Sequence, residues 1–201
     1  KLLVDHDMYR SDSVLKEELD QMAAELCQCL AEFFRRLLYD DSIAASIRLA
    51  VPDVISGQVV YKTKARWTGM NPMEHEALKT TISANEGIPL FFRGDKEAQQ
   101  GVLVYHDLKA AAAMGAYDEM RESDQSFLNN IAAMMVAPLN AWCGDEAKQD
   151  LIGLLYITSR KKGAFRLSHV DSILFLADHT AVAISNVVTL IQSKQRIASN
   201  Y

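Results

Sequence analysis

Between Ser13 and Tyr39 apolar residues recur at helical spacing and fall into two stripes. Leu15, Leu19, Met22, Leu26, Cys29 and Phe33 form the first, and Ala23, Cys27, Leu30, Phe34 and Leu37 the second. Two apolar stripes need two partners. One stripe covers the chain's own sheet, while the first, spaced alternately four and three apart, has the form of a bundle seam. Leu15, Leu19, Met22 and Leu26 are therefore the expected dimer contacts.

After Asp40-Asp41 the period changes from helical to two. Ile43, Ala45, Ile47, Leu49 and Val51 point one way and Ala44, Ser46, Arg48 and Ala50 the other, which predicts a strand. A turn from Pro52 to Gly57 leads to a second alternating run, with Val59, Tyr61, Thr63, Ala65 and Trp67 opposite Val60, Lys62, Lys64 and Arg66. Asn71-Pro72 has helix-start chemistry and Gly87-Ile88-Pro89 helix-stop chemistry, bracketing a helix of about fifteen residues. Leu90 to Gln100 reads as loop. Val102 to Tyr105 is a short strand, Leu108 to Arg121 a helix interrupted at Gly115, and Ala133 to Leu139 and Leu151 to Thr158 a pair of apolar strands. Ala164-Phe165-Arg166 is a possible sixth strand. Ser168-His169-Val170-Asp171 then fits a capping box that opens a long helix with Leu174, Ala177, Ala181, Ile184, Val188 and Ile191 on one face. The predicted fold class is α+β, a largely antiparallel sheet of five or six strands with helices on both faces.

The chain has 201 residues, 49% of them apolar and 23% charged, so it can bury a sizeable core. A formal net charge of -5 argues against a dedicated nucleic-acid binder, which carries a basic face. No uninterrupted apolar run approaches the roughly 18 residues that cross a bilayer, and the start has no signal-peptide pattern, so a cytoplasmic domain without membrane contact is expected. A chain that opens on Lys1 reads as a piece of a longer protein. Cys27, Cys29 and Cys143 are not a disulfide framework, and residues two apart on a helix point away from each other, so Cys27 and Cys29 do not share a metal. The five histidines, His6, His75, His106, His169 and His179, show no ligand spacing, and neither metal nor heme is expected.

The segment from Met134 to Val188 resembles a GAF domain. It carries an apolar strand ending in Val136-Ala137-Pro138-Leu139, a hairpin into Ile152-Gly153-Leu154-Leu155-Tyr156, then Gly163-x-Phe165, a Ser-x-x-Asp cap and an alanine-rich helix. Earlier segments fit the same plan more loosely, so the resemblance covers about Ser13 to Lys194. Residues 1–12 then read as an extension, 13–194 as the sensory domain and 195–201 as the start of a linker helix. The resemblance implies a PAS-like regulatory module attached to an effector, with terminal helices on one sheet face, commonly used for dimerisation, and a small-molecule pocket on the other. The Asn-Lys-Phe-Asp-Glu pattern of cyclic-nucleotide-binding members has no match here, and bilin-binding members need a pocket cysteine that Cys27, Cys29 and Cys143 are not placed to supply.

Candidate ligand contacts follow from strand alternation. Arg48 shares its face with the small Ala44, Ser46 and Ala50, leaving room for a guanidinium to clamp a carboxylate or phosphate. Trp67, Tyr105, Tyr117 and Tyr156 are candidate aromatic walls. Asp107 sits where a helix N-cap belongs and also at the pocket roof that the resemblance implies. His106 and Asp107 are adjacent on a strand, so alternation directs them apart and they are not a natural catalytic dyad. The expected function is a non-catalytic sensory domain that binds a small anionic molecule and signals through a homodimer of terminal helices. A ligand-free dimerisation module and a redox enzyme of the same fold are the alternatives.

Overall fold

Alternation after Asp41 is realised as β1 (Ala44–Pro52), which forms a hairpin with β2 (Val59–Trp67). The computed structural model describes residues 12–53, 55–68, 81–94, 98–117, 130–142 and 149–198. The first described element is α1 (Asp12–Leu38). After the hairpin come β3 (Thr81–Ser83), α2 (Gly87–Gly94), a 3₁₀ turn at Ala98–Gln100, β4 (Leu103–Tyr105) and α3 (Leu108–Ala113). The hairpin β5 (Ala133–Trp142) and β6 (Gln149–Ser159) follows, and α4 (Val170–Ala198) closes the chain. The six strands form one antiparallel sheet in the order β3-β2-β1-β6-β5-β4.

The terminal helices share one face of this sheet. Leu19, Ala23, Cys27, Leu30, Ala31 and Phe34 of α1 and Ile173, Ala177, Ala181 and Ile184 of α4 are buried against Ile47, Leu49, Met135, Leu139, Leu155 and Ile157. Each large side chain so buried contributes roughly 1.5–3 kcal/mol by leaving water. The second stripe of α1 is thus the core stripe, and Leu19 joins it from the first. Met22 and Leu26 pack half-buried at its margin, and the Leu15 side chain lies outside the described residues. Of the two apolar stripes, Cys29, Phe33 and Leu37 are exposed among the described side chains. The stretch Leu167–Leu190 is by length and composition apolar enough to cross a membrane, yet its inner stripe is the one packed on the sheet.

Four local expectations are corrected. Gly87, with φ 51°, opens α2 rather than ending a helix; Pro89 is tolerated in the first turn because amides there have no intrahelical acceptor. The helix expected from Asn71 lies outside the described residues up to residue 80, and residues 81–83 are strand. Phe165 drops into the helix-side core from a loop, so 164–166 is not a strand. The turn before α4 is capped by His169 and not by Ser168: His169 Nδ1 accepts the Arg166 amide at 3.1 Å. Burial and the neighbouring Arg166 hold the His169 pKa below its ordinary value, which keeps that nitrogen an acceptor.

β2 contains the least expected feature. Its register against β1 shifts between Ile47 and Arg48, where Ala65 pairs with Ile47 but Thr63 with Arg48, leaving Lys64 as the extra residue of a bulge. The bulge reverses parity along the strand. Ala65 and Trp67 face the terminal helices, Lys64 forms an ion pair with Asp20 of α1, and Tyr61 turns to the opposite face.

Where β6 crosses β1, Gly153 lies opposite Leu49. A Cβ there would stand 2.5 Å from the Arg48 carbonyl oxygen, 3.0 Å from Leu49 and 3.1 Å from Leu139. Gly153→Ala is therefore expected to destabilise the fold by about 1–3 kcal/mol. Gly94→Ala, which meets nothing within 4 Å, should stay within about 0.5 kcal/mol of wild type. Denaturant midpoints at equal m-values measure both.

Candidate functional site

On the face away from the terminal helices, β1 presents Ser46, Arg48 and Ala50, all from positions of one parity. The residues around them form a second core: Tyr61 from β2, Met134 and Val136 from β5, Leu154 and Tyr156 from β6, Ile88 and Phe92 from α2, Leu108 and Ala111 from α3, and Tyr117. Helices α2 and α3 thus roof this side of the sheet. Arg48 is only 6% exposed, and its guanidinium carbon stands 5.0 Å from the ring centroid of Tyr156. Stacking of a planar cation on an aromatic face partly offsets the cost of removing its charge from water. What results is a fixed positive charge within a water-poor layer, where Coulomb attraction for an anion is several-fold stronger than at the surface.

Tyr105 and Tyr117 form a second aromatic pair, edge-to-face with centroids 5.6 Å apart. Tyr105 extends from β4 opposite Met134 and donates its hydroxyl hydrogen to the Ala116 carbonyl at 3.2 Å, tying strand to roof. Three of the four proposed walls, Tyr105, Tyr117 and Tyr156, belong to this core with Arg48 stacked on the last. Trp67 does not. The bulge places it on the helix side, where the Arg35 guanidinium carbon lies 4.1 Å from its ring and Arg35 donates to the Ile43 and Thr68 carbonyls.

Asp107 is the N-cap of α3: its Oδ1 accepts the Ala110 amide at 3.2 Å, and its Oδ2 pairs with Lys162 at 2.6 Å. The Lys162 hydrogen bond and the Ala110 amide hold its carboxyl below the ordinary range. His106 is exposed and offers its carbonyl to the Gly163 amide at 2.8 Å. Adjacent residues of one turn thus hold both neighbours, Asp107 through its carboxylate and His106 through its backbone carbonyl.

Sequence reasoning did not single out Tyr61, Phe92, Met134 or Leu154 for this face. Tyr61 is 1% exposed, and burial, opposed by the nearby Arg93, pushes its phenol up to about 12. Its parity was hidden by the bulge, whereas the four-residue spacing of Ile88 and Phe92 was present in the sequence as a helical signal. The described cysteines lie elsewhere. Cys27 is buried beneath α1 on the other sheet face, with its thiol pushed up to about 12 by burial, and Cys29 is on the exposed surface of α1. Cys143, His6 and His75 lie outside the described residues. Among the described residues no group of three His, Cys, Asp or Glu side chains is arranged to hold a metal.

No protein-family profile and no curated protein sequence matches the chain. Solved structures do. The GAF domain of PixJ from Thermosynechococcus elongatus, in its blue-light absorbing form, superposes with a TM-score of 0.55 at 18% identity, covering 92% of this chain and 95% of that one. A type II free methionine-R-sulfoxide reductase from Thermoplasma acidophilum gives 0.54 at 18% identity, covering 85% and 94%. The GAF domain of a phosphoenolpyruvate-protein phosphotransferase from Coxiella burnetii gives 0.51 at 18% identity, covering 92% and 96%. At these identities the likeness is one of fold, and it extends over nearly the whole chain: the protein has a GAF-like fold.

Proposed function

We propose that this chain is a sensory GAF-type domain that binds a small anionic molecule under the α2–α3 roof and relays its presence through the terminal helices. The observation that carries this reading is Arg48, a guanidinium 6% exposed, stacked on Tyr156 and flanked along its strand by the small Ser46 and Ala50. An arriving carboxylate or phosphate shares or exchanges the contacts that Arg48 already makes within the chain. Tyr61, Tyr105 and Tyr117 supply the aromatic surround. Neighbours such as the PixJ GAF domain, a light-absorbing module, support a sensory role for this fold.

Thermal-shift titration with di- and tricarboxylates, inorganic phosphate and nucleoside monophosphates tests the anchor. At least one anion should raise the melting temperature of the wild type with concentration. Arg48→Gln should weaken that anion roughly 10- to 100-fold, the loss expected for a charge-assisted hydrogen bond. An equal shift in the variant, or none in the wild type, overturns the assignment.

The relay further requires that the terminal helices pair with a second copy. The apolar positions left exposed by the core, Phe33 at 43% and Leu37 at 43% on α1, with Phe175 and Val182 on α4, are the proposed contact. Sedimentation of Phe33→Glu/Leu37→Glu should show a folded monomer where the wild type is dimeric. Leu19→Glu should instead unfold the chain, since Leu19 packs within its own core. An unchanged dimer in the double variant rejects this contact.

The reductase neighbour raises a redox reading. A thiol pushed up to about 12 and sealed beneath α1 is a poor nucleophile at neutral pH. Peptide-mapped maleimide labelling at pH 7 should modify Cys29 readily and Cys27 only at the rate of global unfolding. Rapid native labelling of Cys27 would restore the enzymatic reading.

A further inference from the structure

The loop Arg160–Gly163, between β6 and α4, reaches in two directions. On one side lies Asp40, 2% exposed, just past the end of α1. Its Oδ2 accepts the Ser159 hydroxyl at 2.5 Å, and its Oδ1 accepts the Ser42 hydroxyl at 2.7 Å and the Ser42 amide at 3.0 Å. Lys161 Nζ stands 3.4 Å from Oδ1 and donates to the Tyr39 carbonyl at 3.3 Å. The Arg160 amide donates to the Ser42 hydroxyl at 3.0 Å, and the Lys161 amide to the Ser159 hydroxyl at 2.9 Å. On the other side the next two residues hold the roof. Lys162 pairs with Asp107, the N-cap of α3, and the Gly163 amide donates to the His106 carbonyl. Ala132 closes the same circuit, since its amide donates to the Ser159 carbonyl and its carbonyl accepts the Leu108 amide, both at 2.8 Å.

From these bonds we infer that the loop is a clasp that couples the roof helix α3 to the end of α1, so that loosening either end loosens the other. The physical basis is unequal strength at the two ends. Asp40 is buried and takes three charge-assisted bonds, the strong kind, whereas the Lys162–Asp107 pair is partly solvated and yields first. Gly163, in the left-handed region at φ 65°, fixes how the backbone leaves the turn, so Lys161 and Lys162 do not adjust independently. A ligand that lifts or clamps α3 thereby acts on the residues that end α1. The coupling belongs to the chain without ligand, so its test stands apart from whether the sheet face takes an anion.

Hydrogen exchange on the whole chain reads both ends at once. Lys162→Gln cuts the roof end, and Asp107→Asn removes the charge while keeping a good N-cap. Ser159→Ala cuts the α1 end. Ile82→Val, on the far edge strand β3, controls for general destabilisation. By reciprocity each cut should raise exchange at the opposite end at least about fivefold. Lys162→Gln and Asp107→Asn should do so at residues 40–43, and Ser159→Ala at 108–114, while Ile82→Val leaves exchange in both segments close to the wild-type rate. Acceleration confined to the mutated end, or a control that moves both segments alike, overturns the clasp. Should Ser159→Ala fail to fold, the effect of Lys162→Gln on residues 40–43 decides the matter.

Discussion

Both sides of this domain depend on how closely β6 lies against β1. At Gly153 the two backbones come near enough that a methyl group would press on the Arg48 carbonyl oxygen. With only hydrogen there, the strands keep register from Ala44–Thr158 to Leu49–Gly153. That register sends Ile47 and Leu49 into the helix-side core and Arg48 to the roofed face. A slip of one residue would exchange them, placing a guanidinium among Phe34, Leu155 and Ile157. Burying a charge in such surroundings costs several kcal/mol. Apolar burial and charge placement therefore select the same register, so the strand that anchors the fold also positions the candidate anchor for a ligand.

Much of this was legible in the sequence because its cause is local. Period-two alternation marked β1 and the Arg48 face, and the strands of the final hairpin were visible, though each runs longer than its apolar centre. What escaped was set by tertiary contact. The bulge at Lys64 leaves the β2 alternation looking unbroken in the sequence while turning Tyr61 and Trp67 to opposite faces. On α1 the spacing of Leu15, Leu19, Met22 and Leu26 read as a seam, but Leu19 is buried in the chain's own core with Met22 and Leu26 packed at its margin, because which residues meet the sheet is set by how the helix lies across it. Gly87-Ile88-Pro89 carried residues suited both to ending one helix and to starting the next, and only Phe92, four residues after Ile88, favoured the second.

Two buried charges show how differently a domain can hold an ion out of water. Asp40 is surrounded by donors from Ser42 and Ser159, with Lys161 beside it. Burial would raise its pKa, yet these hydrogen bonds outweigh it and hold the carboxyl below the ordinary range. A group depressed in this way adds stability above its unfolded pKa, near pH 4, and loses it as pH falls through the lower folded value. Arg48 is stacked on the Tyr156 ring, in addition to the other contacts it makes within the chain. A donor-saturated carboxylate is suited to holding two elements together. A guanidinium stacked on one face is suited to accepting a partner in its plane.

The sequence Arg160-Lys161-Lys162-Gly163 looks like an ordinary solvated turn, and its charges alone carry no message. Its structural context gives them one. Lys161 and Lys162 are neighbours in the chain but meet aspartates at the ends of different helices, Asp40 after α1 and Asp107 before α3. Ion pairs made by such exposed lysines contribute little singly. Here they are laid over backbone bonds from Gly163 to His106 and from Ala132 to Ser159, which fix the turn relative to both helices. The same short turn therefore defines where the roof begins and where α1 ends. Across the end of a two-sided sheet, this polar connection gives the roof a direct mechanical hold on the terminal helix.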